Sequence, residues 1–145
     1  MTYRPRKQTE DDLSNEYNAA EKIYQNLGLK CLKLGEVKYR IDWCLSRHGT
    51  IVAWGEYKFR NVPKDKYDTL ILSSDRWFQL KRFGENSGLP AILFVEWYDK
   101  GLHFVNSLDV GNHLVRYAEG GDYAGGHPGD IEPIVHIPIN LFEPV

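Results

Sequence analysis

Apolar residues follow two rhythms along this chain. Leu13, Tyr17, Ala20, Ile23, Tyr24 and Leu27 recur at three- and four-residue steps, the period of an amphipathic helix. Asp11-Asp12-Leu13-Ser14 can cap its start and Gly28 can stop it, so a helix is predicted over roughly 12–27. The rhythm then shortens. Tyr39–Leu45 is rich in β-formers, Arg47-His48-Gly49 is turn-like, and Thr50–Phe59 resumes the strand character. Together they predict a hairpin. Leu29–Leu34 reads as a short extended piece before it.

Val62-Pro63-Lys64-Asp65 breaks the pattern. Tyr67–Leu72 is a third strand candidate, and Ser73-Ser74-Asp75 can cap a helix carrying Trp77, Phe78, Leu80, Lys81 and Phe83 as far as Gly84 or Gly88. Ala91–Tyr98 is a continuous apolar run, the mark of a central strand covered on both faces. Asp99-Lys100-Gly101 then turns into a strand at Leu102–Val105. Asp109–Ala118 fits a short helix or a loop. Residues 118–130 form a glycine-rich segment, predicted as a mobile surface loop. Ile131–Phe142 alternates as a last strand, and Pro133 and Pro138 predict an edge position for it. The order helix, strand, strand, strand, helix, strand implies an α/β fold with one central sheet and a C-terminal strand extension.

At 145 residues the chain suits a single domain over 1–145, with a loose N-terminus at 1–10. No apolar run is long enough for a membrane helix, so no membrane partner is expected. The basic start MTYRPRKQTEDD is not followed by an apolar segment, which excludes a secretory signal there. Cys31 and Cys44 have neither disulfide-framework nor zinc spacing. A cytoplasmic location follows as the expectation. Net charge is −2, yet residues 57–82 hold seven basic groups against three acids. Such a stretch can be a mixed surface, or it can bind a polyanion despite the acidic total.

Charged residues fall where two strands are predicted. Asp42 ends one apolar stretch and Glu56-Tyr57-Lys58 ends the next. Strand residues two apart share a face, so Glu56 and Lys58 project together and Tyr57 points away. Thirteen residues separate Asp42 from Glu56, enough for a turn that sets the carboxylates side by side. Close carboxylates repel, and a divalent cation between them relieves the repulsion. Hard oxygen donors suit Mg2+, which leaves positions for a phosphate. A neighbouring lysine can orient water or stabilise developing charge, which suits phosphodiester hydrolysis. On spacing alone the plainer reading of the same residues is a structural ion-pair network. A second acid-x-lysine triplet, Glu36-Val37-Lys38, lacks an upstream aspartate at a strand end.

The pattern Glu16, Asp42 and Glu56-Tyr57-Lys58 within this order of elements resembles the PD-(D/E)XK nuclease superfamily. It is most similar to its small phage and archaeal Holliday-junction-resolvase-like members, and the resemblance covers roughly residues 12–98. It implies a restriction-endonuclease-like αβββαβ core, a mixed central sheet flanked by helices, and metal-dependent DNA endonuclease activity. It also implies Mg2+, or Mn2+, bound by Asp42, Glu56 and the Tyr57 carbonyl, with Lys58 positioning the attacking water. Glu16 on the first helix would support a water or a second ion. Glu21 is its rival. The family's proline is absent, since Arg40-Ile41 precedes Asp42. A further polar residue on the second helix would be Arg76 or Gln79. Expected DNA contacts are Arg60, Lys64, Lys66, Arg76 and Gln79. Alternatives within the resemblance are a structure-selective junction resolvase, which would act as a homodimer, and a non-cutting nucleic-acid-binding module. A phage-infected or bacterial cytoplasm would be the setting.

The remaining candidates have plainer explanations. Trp43, Trp54, Trp77 and Trp97 sit in apolar strands or on an apolar helix face, which predicts core packing rather than base stacking. The five histidines lack metal-ligand spacing. Cys44 reads as a small buried thiol.

Overall fold

The computed structural model describes residues 10–120 and 132–145. The expected loose N-terminus therefore lies, for residues 1–9, outside the described residues, and so do positions 121–130 of the expected loop. Helix α1 (Glu10–Leu27) leads into strand β1 (Lys30–Lys33) and a single helical turn, α2 (Glu36–Tyr39). The hairpin β2 (Trp43–Arg47) and β3 (Thr50–Arg60) follows, then β4 (Thr69–Ser73), α3 (Ser74–Ser87), β5 (Ala91–Trp97) and β6 (Gly101–Asn106). Strands β7 (Arg116–Gly120), β8 (Glu132–Pro138) and β9 (Glu143–Pro144) complete the order. This is the expected α/β fold. Among the described residues no helix is long and apolar enough to cross a membrane.

The β2–β3 turn contains only His48 and Gly49, because Arg47 pairs with Thr50. Both turn residues have positive φ, 52° and 78°, the backbone that matches the twist of a two-residue hairpin. Six strands form the central sheet in the order β1-β2-β3-β5-β6-β9. β3 and β5 are parallel, while the other pairs are antiparallel. Along β5 the side chains alternate between two cores. Phe94 joins Ala19, Ile23, Trp43 and Leu45 under α1. Leu93 and Val95 join Trp77, Leu80, Leu70 and Ile137 under α3. Burial on both faces explains the unbroken apolar run read from the sequence.

Four expectations change. The three strands that precede α3 in the central sheet are β1, β2 and β3, so Leu29–Leu34 supplies a full strand. The candidate at 67–72 becomes β4 and pairs instead in a second sheet, β4-β8-β7. Strand β8 lies in the middle of that sheet, not at an edge. Its prolines occupy the second and last positions, which leaves the residues between them free to donate to the ladder. Ala118–Gly120 belong to β7, and Asp109–Ala118 contains short 3-10 turns leading into that strand.

The fourth change concerns α1. Its buried residues are Glu16, Ala19 and Ile23, whereas Leu13, Tyr17 and Tyr24 are exposed. The helix is thus rotated so that a carboxylate enters the interior. The predicted apolar stripe and the buried face overlap only in part.

Helix α3 ends at Gly88 in the left-handed conformation, φ 73°, with the Gly88 N–H bonded to the Gly84 carbonyl, a common helix stop. Gly84 itself is buried and lets α3 lie close to β5. A Cβ added there would meet the Ala91 Cβ and Leu108 Cδ1, each at 2.9 Å. Gly84→Ala should therefore lower stability by about 1–3 kcal/mol through overpacking, despite a helix-propensity gain of about 1 kcal/mol. Urea unfolding checks this, and a midpoint at or above the wild-type value would mean that α3 is free to shift.

Candidate active site

Asp42 immediately precedes β2. Its carbonyl accepts from Leu34 N–H at 2.9 Å, which extends the β1–β2 ladder and holds the residue in place. Arg40, two positions earlier, has a φ of 57°, an unusual backbone for a non-glycine residue. That reversal turns the chain from α2 into the strand.

Asp42 and Glu56 are joined through each other's backbone. The Asp42 N–H donates to Glu56 Oε2 at 3.2 Å, and the Tyr57 N–H donates to Asp42 Oδ2 at 2.8 Å. The hairpin therefore does what its spacing predicts and brings the two acids together. Glu56 is only 6% exposed. Burial, reinforced by the Asp42 charge, holds its carboxyl well above the usual range, against the opposing pull of Arg76, the Asp42 N–H and Lys58. Lys58, half-buried, is thus within electrostatic reach of Glu56 on the same face of β3.

The other side of β3 carries Tyr57. Its ring packs on Trp43 at 5.7 Å and its hydroxyl donates to Glu96 Oε1 at 2.6 Å. Burial and the Glu96 hydrogen bond push the phenol pKa up, with smaller contributions from Glu16 and Asp12. Glu16 meets Lys33 Nζ at 3.5 Å. It is buried, while Glu21 is exposed. Among the described residues no three His, Cys, Asp or Glu side chains converge as a metal-ligand set, so Glu16 does not join Asp42 and Glu56 in one. Lys33 had no sequence signal beyond being a charge on a short strand.

Arg76 of α3 reaches Glu56 Oε1 at 3.7 Å and donates to the Arg40 carbonyl at 3.1 Å. It links the second helix to the reversed loop and to the buried acid. Arg40 in turn lies 4.0 Å from Asp75. Gln79 sits half-buried one turn along α3. Arg60 is tied inward, donating to the Ile71 carbonyl, and burial lowers its pKa. Lys64 lies over the Trp97 ring and Lys66 over the Tyr67 ring, 5.8 and 5.5 Å from the centroids. The rival triplet Glu36-Val37-Lys38 falls on α2. Cys44 is buried as expected. Burial, with Cys44 and Glu16 nearby, pushes the Cys31 thiol up to about 12, so neither cysteine is built as a nucleophile.

Hard oxygen donors in this pairing fit a small divalent cation. Two carboxylates share one partly buried place, and the Asp42 charge that adds to burial in raising Glu56 is a repulsion of the kind a cation relieves.

The fold is restriction-endonuclease-like. The chain superposes on the Holliday junction resolvase Hjc from Archaeoglobus fulgidus with a TM-score of 0.63 at 14% identity, covering 94% of this chain and 93% of that one. No curated protein sequence matches it. Residues 2–145 match the family described as "Phage putative PDDEXK endonuclease". The chain belongs to this phage PD-(D/E)XK endonuclease family.

The raised Glu56 carboxyl has a consequence for stability. The folded state holds this proton more tightly than the unfolded chain, whose value is near 4.5. Its contribution is fully present below about pH 4.5 and is lost as pH rises through the folded value. In the presence of a chelator, Glu56→Gln should therefore be more stable than wild type at neutral pH and should lose this part of the pH slope. Urea unfolding at acidic and neutral pH measures both. A variant less stable than wild type at neutral pH would mean that the ionised carboxylate is net stabilising.

Proposed function

We propose that this protein is a metal-dependent DNA endonuclease, with residues 1–145 as a single domain, that hydrolyses phosphodiester bonds in the cytoplasm of a phage-infected cell. The observation that carries this reading is the reciprocal pairing of Asp42 with Glu56 through the Asp42 and Tyr57 N–H groups, beside Lys58, in a chain of a PD-(D/E)XK family. Asp42, Glu56 and the Tyr57 carbonyl would hold Mg2+ or Mn2+. Bound there, the cation would neutralise phosphate charge and make water a better nucleophile.

The chain's own residues supply the rest. Lys58 orients the attacking water and offsets charge that builds on the phosphate oxygens. Arg76, on the second helix, holds Glu56 and can turn to a phosphate when the site fills. Glu16, with Lys33, ties α1 to β1. Lys64, Lys66 and Gln79 belong to the surface along which the DNA backbone would lie, and Arg60 would join them by releasing the Ile71 carbonyl. Water's oxygen bonds to phosphorus as the bond to the leaving sugar oxygen breaks.

Cleavage assays on linear, circular, single-stranded and four-way-junction DNA, with and without Mg2+ or Mn2+, test this reading. Wild type should cut at least one substrate, and a chelator should abolish cutting. Lys58→Ala should lose about 10²–10³-fold in rate with DNA binding retained. A Lys58→Ala variant as active as wild type would remove the assigned mechanism. Absence of cutting on every substrate with both metals would favour a binding module of the same fold. The metal site has a separate readout: Mg2+ should raise the unfolding midpoint of wild type by mass action and leave Glu56→Gln unchanged.

A further inference from the structure

Of the four tryptophans, Trp43, Trp77 and Trp97 are buried as the sequence predicts, each at most 2% exposed. Trp54 is the exception, and it is only half-buried. It lines a cavity of about 380 Å3 together with Arg82, Phe83, Asn86 and Ser87. The cavity lies beside the candidate active site. Trp54 stands two residues before Glu56 on β3, on the same face, hence about 7 Å away along the strand. Helix α3 spans both, sending Arg76 to Glu56 and Phe83 to Trp54.

The lining has the chemistry of a base pocket. Trp54 and Phe83 meet at 5.1 Å edge to face, so their rings are not stacked on one another. The Trp54 indole N–H is fixed by Ser87 Oγ at 2.8 Å, and Ser87 Oγ in turn donates to the Phe83 carbonyl at 2.7 Å. That network pins the ring's orientation without a ligand. Arg82 and Asn86 are exposed at the rim, and their side chains make no hydrogen bond or ion pair with the other described residues. A guanidinium can stack on or hydrogen-bond a planar base, and an amide can pair with its edge. The positive charge also suits the adjoining phosphate.

We propose that this cavity receives one unstacked nucleobase of the DNA strand bound at the active site. Bases inside a duplex are stacked and out of reach, so the substrate class is DNA with an unpaired base near the bond to be cut. This identification of the substrate rests on the nuclease reading, and the test separates the two.

The probe is a duplex with a single unpaired 2-aminopurine, titrated with the full-length protein in a chelator so that nothing is cut. Its fluorescence should change as the base stacks. Wild type should bind it about 5- to 150-fold more tightly than the fully paired duplex or the same duplex with an abasic residue at that position. Trp54→Leu should erase that margin. Arg82→Ala, at an exposed position that leaves the fold intact, should reduce it. Equal affinity for base and abasic duplexes, or an unchanged margin in both variants, would overturn the proposal. So would a free mononucleotide that competes at the affinity of the DNA, since the pocket would then serve nucleotides. If the margin appears but no DNA is cut with Mg2+ or Mn2+, the nuclease reading fails and the pocket stands. If DNA is cut and the margin is absent, the pocket fails alone.

Discussion

Glu56, buried, and Asp42, half-buried, are each held by a backbone N–H that belongs to the other's neighbourhood. Asp42 N–H binds Glu56, and Tyr57 N–H binds Asp42. Both bonds need β2 and β3 in a fixed register, since a one-residue slip would turn Glu56 to the other face. The two-residue His48-Gly49 turn sets that register. The left-handed Arg40 sets the direction from which Asp42 arrives. Arg76 answers the buried charge from α3. The hairpin, the reversed loop and the second helix thus converge on the cost of burying Glu56.

The two faces of β3 divide the work. Tyr57 faces α1 and is locked by Trp43 and Glu96, which makes the residue between the acid and the lysine a structural anchor. Glu56 and Lys58 face α3, where charge is offset by arginine and can be offset by a cation. Placing a strand in parallel with the buried β5 keeps this pair in a rigid layer, as a site that must hold sub-ångström geometry requires. The second sheet, β4-β8-β7, closes the α3 core from outside and takes no direct part in the acid pair.

Much of this was legible in the chain. The helix at 12–27, the β2–β3 hairpin, the buried strand at 91–98 and a glycine stop for α3 at Gly84 or Gly88 each follow from local rules of period, turn chemistry and glycine placement. The juxtaposition of Asp42 with Glu56 and Lys58 was legible too, because hairpin geometry is set by short-range sequence. Less visible were the features that depend on which element packs where. Two prolines suggest an edge position for β8, and only their placement near its ends lets the strand sit centrally. The stripe Leu13, Tyr17 and Tyr24 promised a buried face that α1 does not use. Trp54 resembled its three buried counterparts.

The sequence alone determined the order of elements, the turn that pairs the two acids, and the residue types that phosphodiester chemistry needs. It did so because those depend on contacts within a few residues or across one hairpin. Tertiary structure decided the assignment of β4 and β8 to a second sheet, the inward turn of Glu16 toward Lys33, and the reach of Arg76 to Glu56. It also decided the half-open setting of Trp54 beside Phe83. Each of these is an outcome of packing between elements distant in the chain. There the total apolar area buried and the need to partner every interior charge outweigh any local preference.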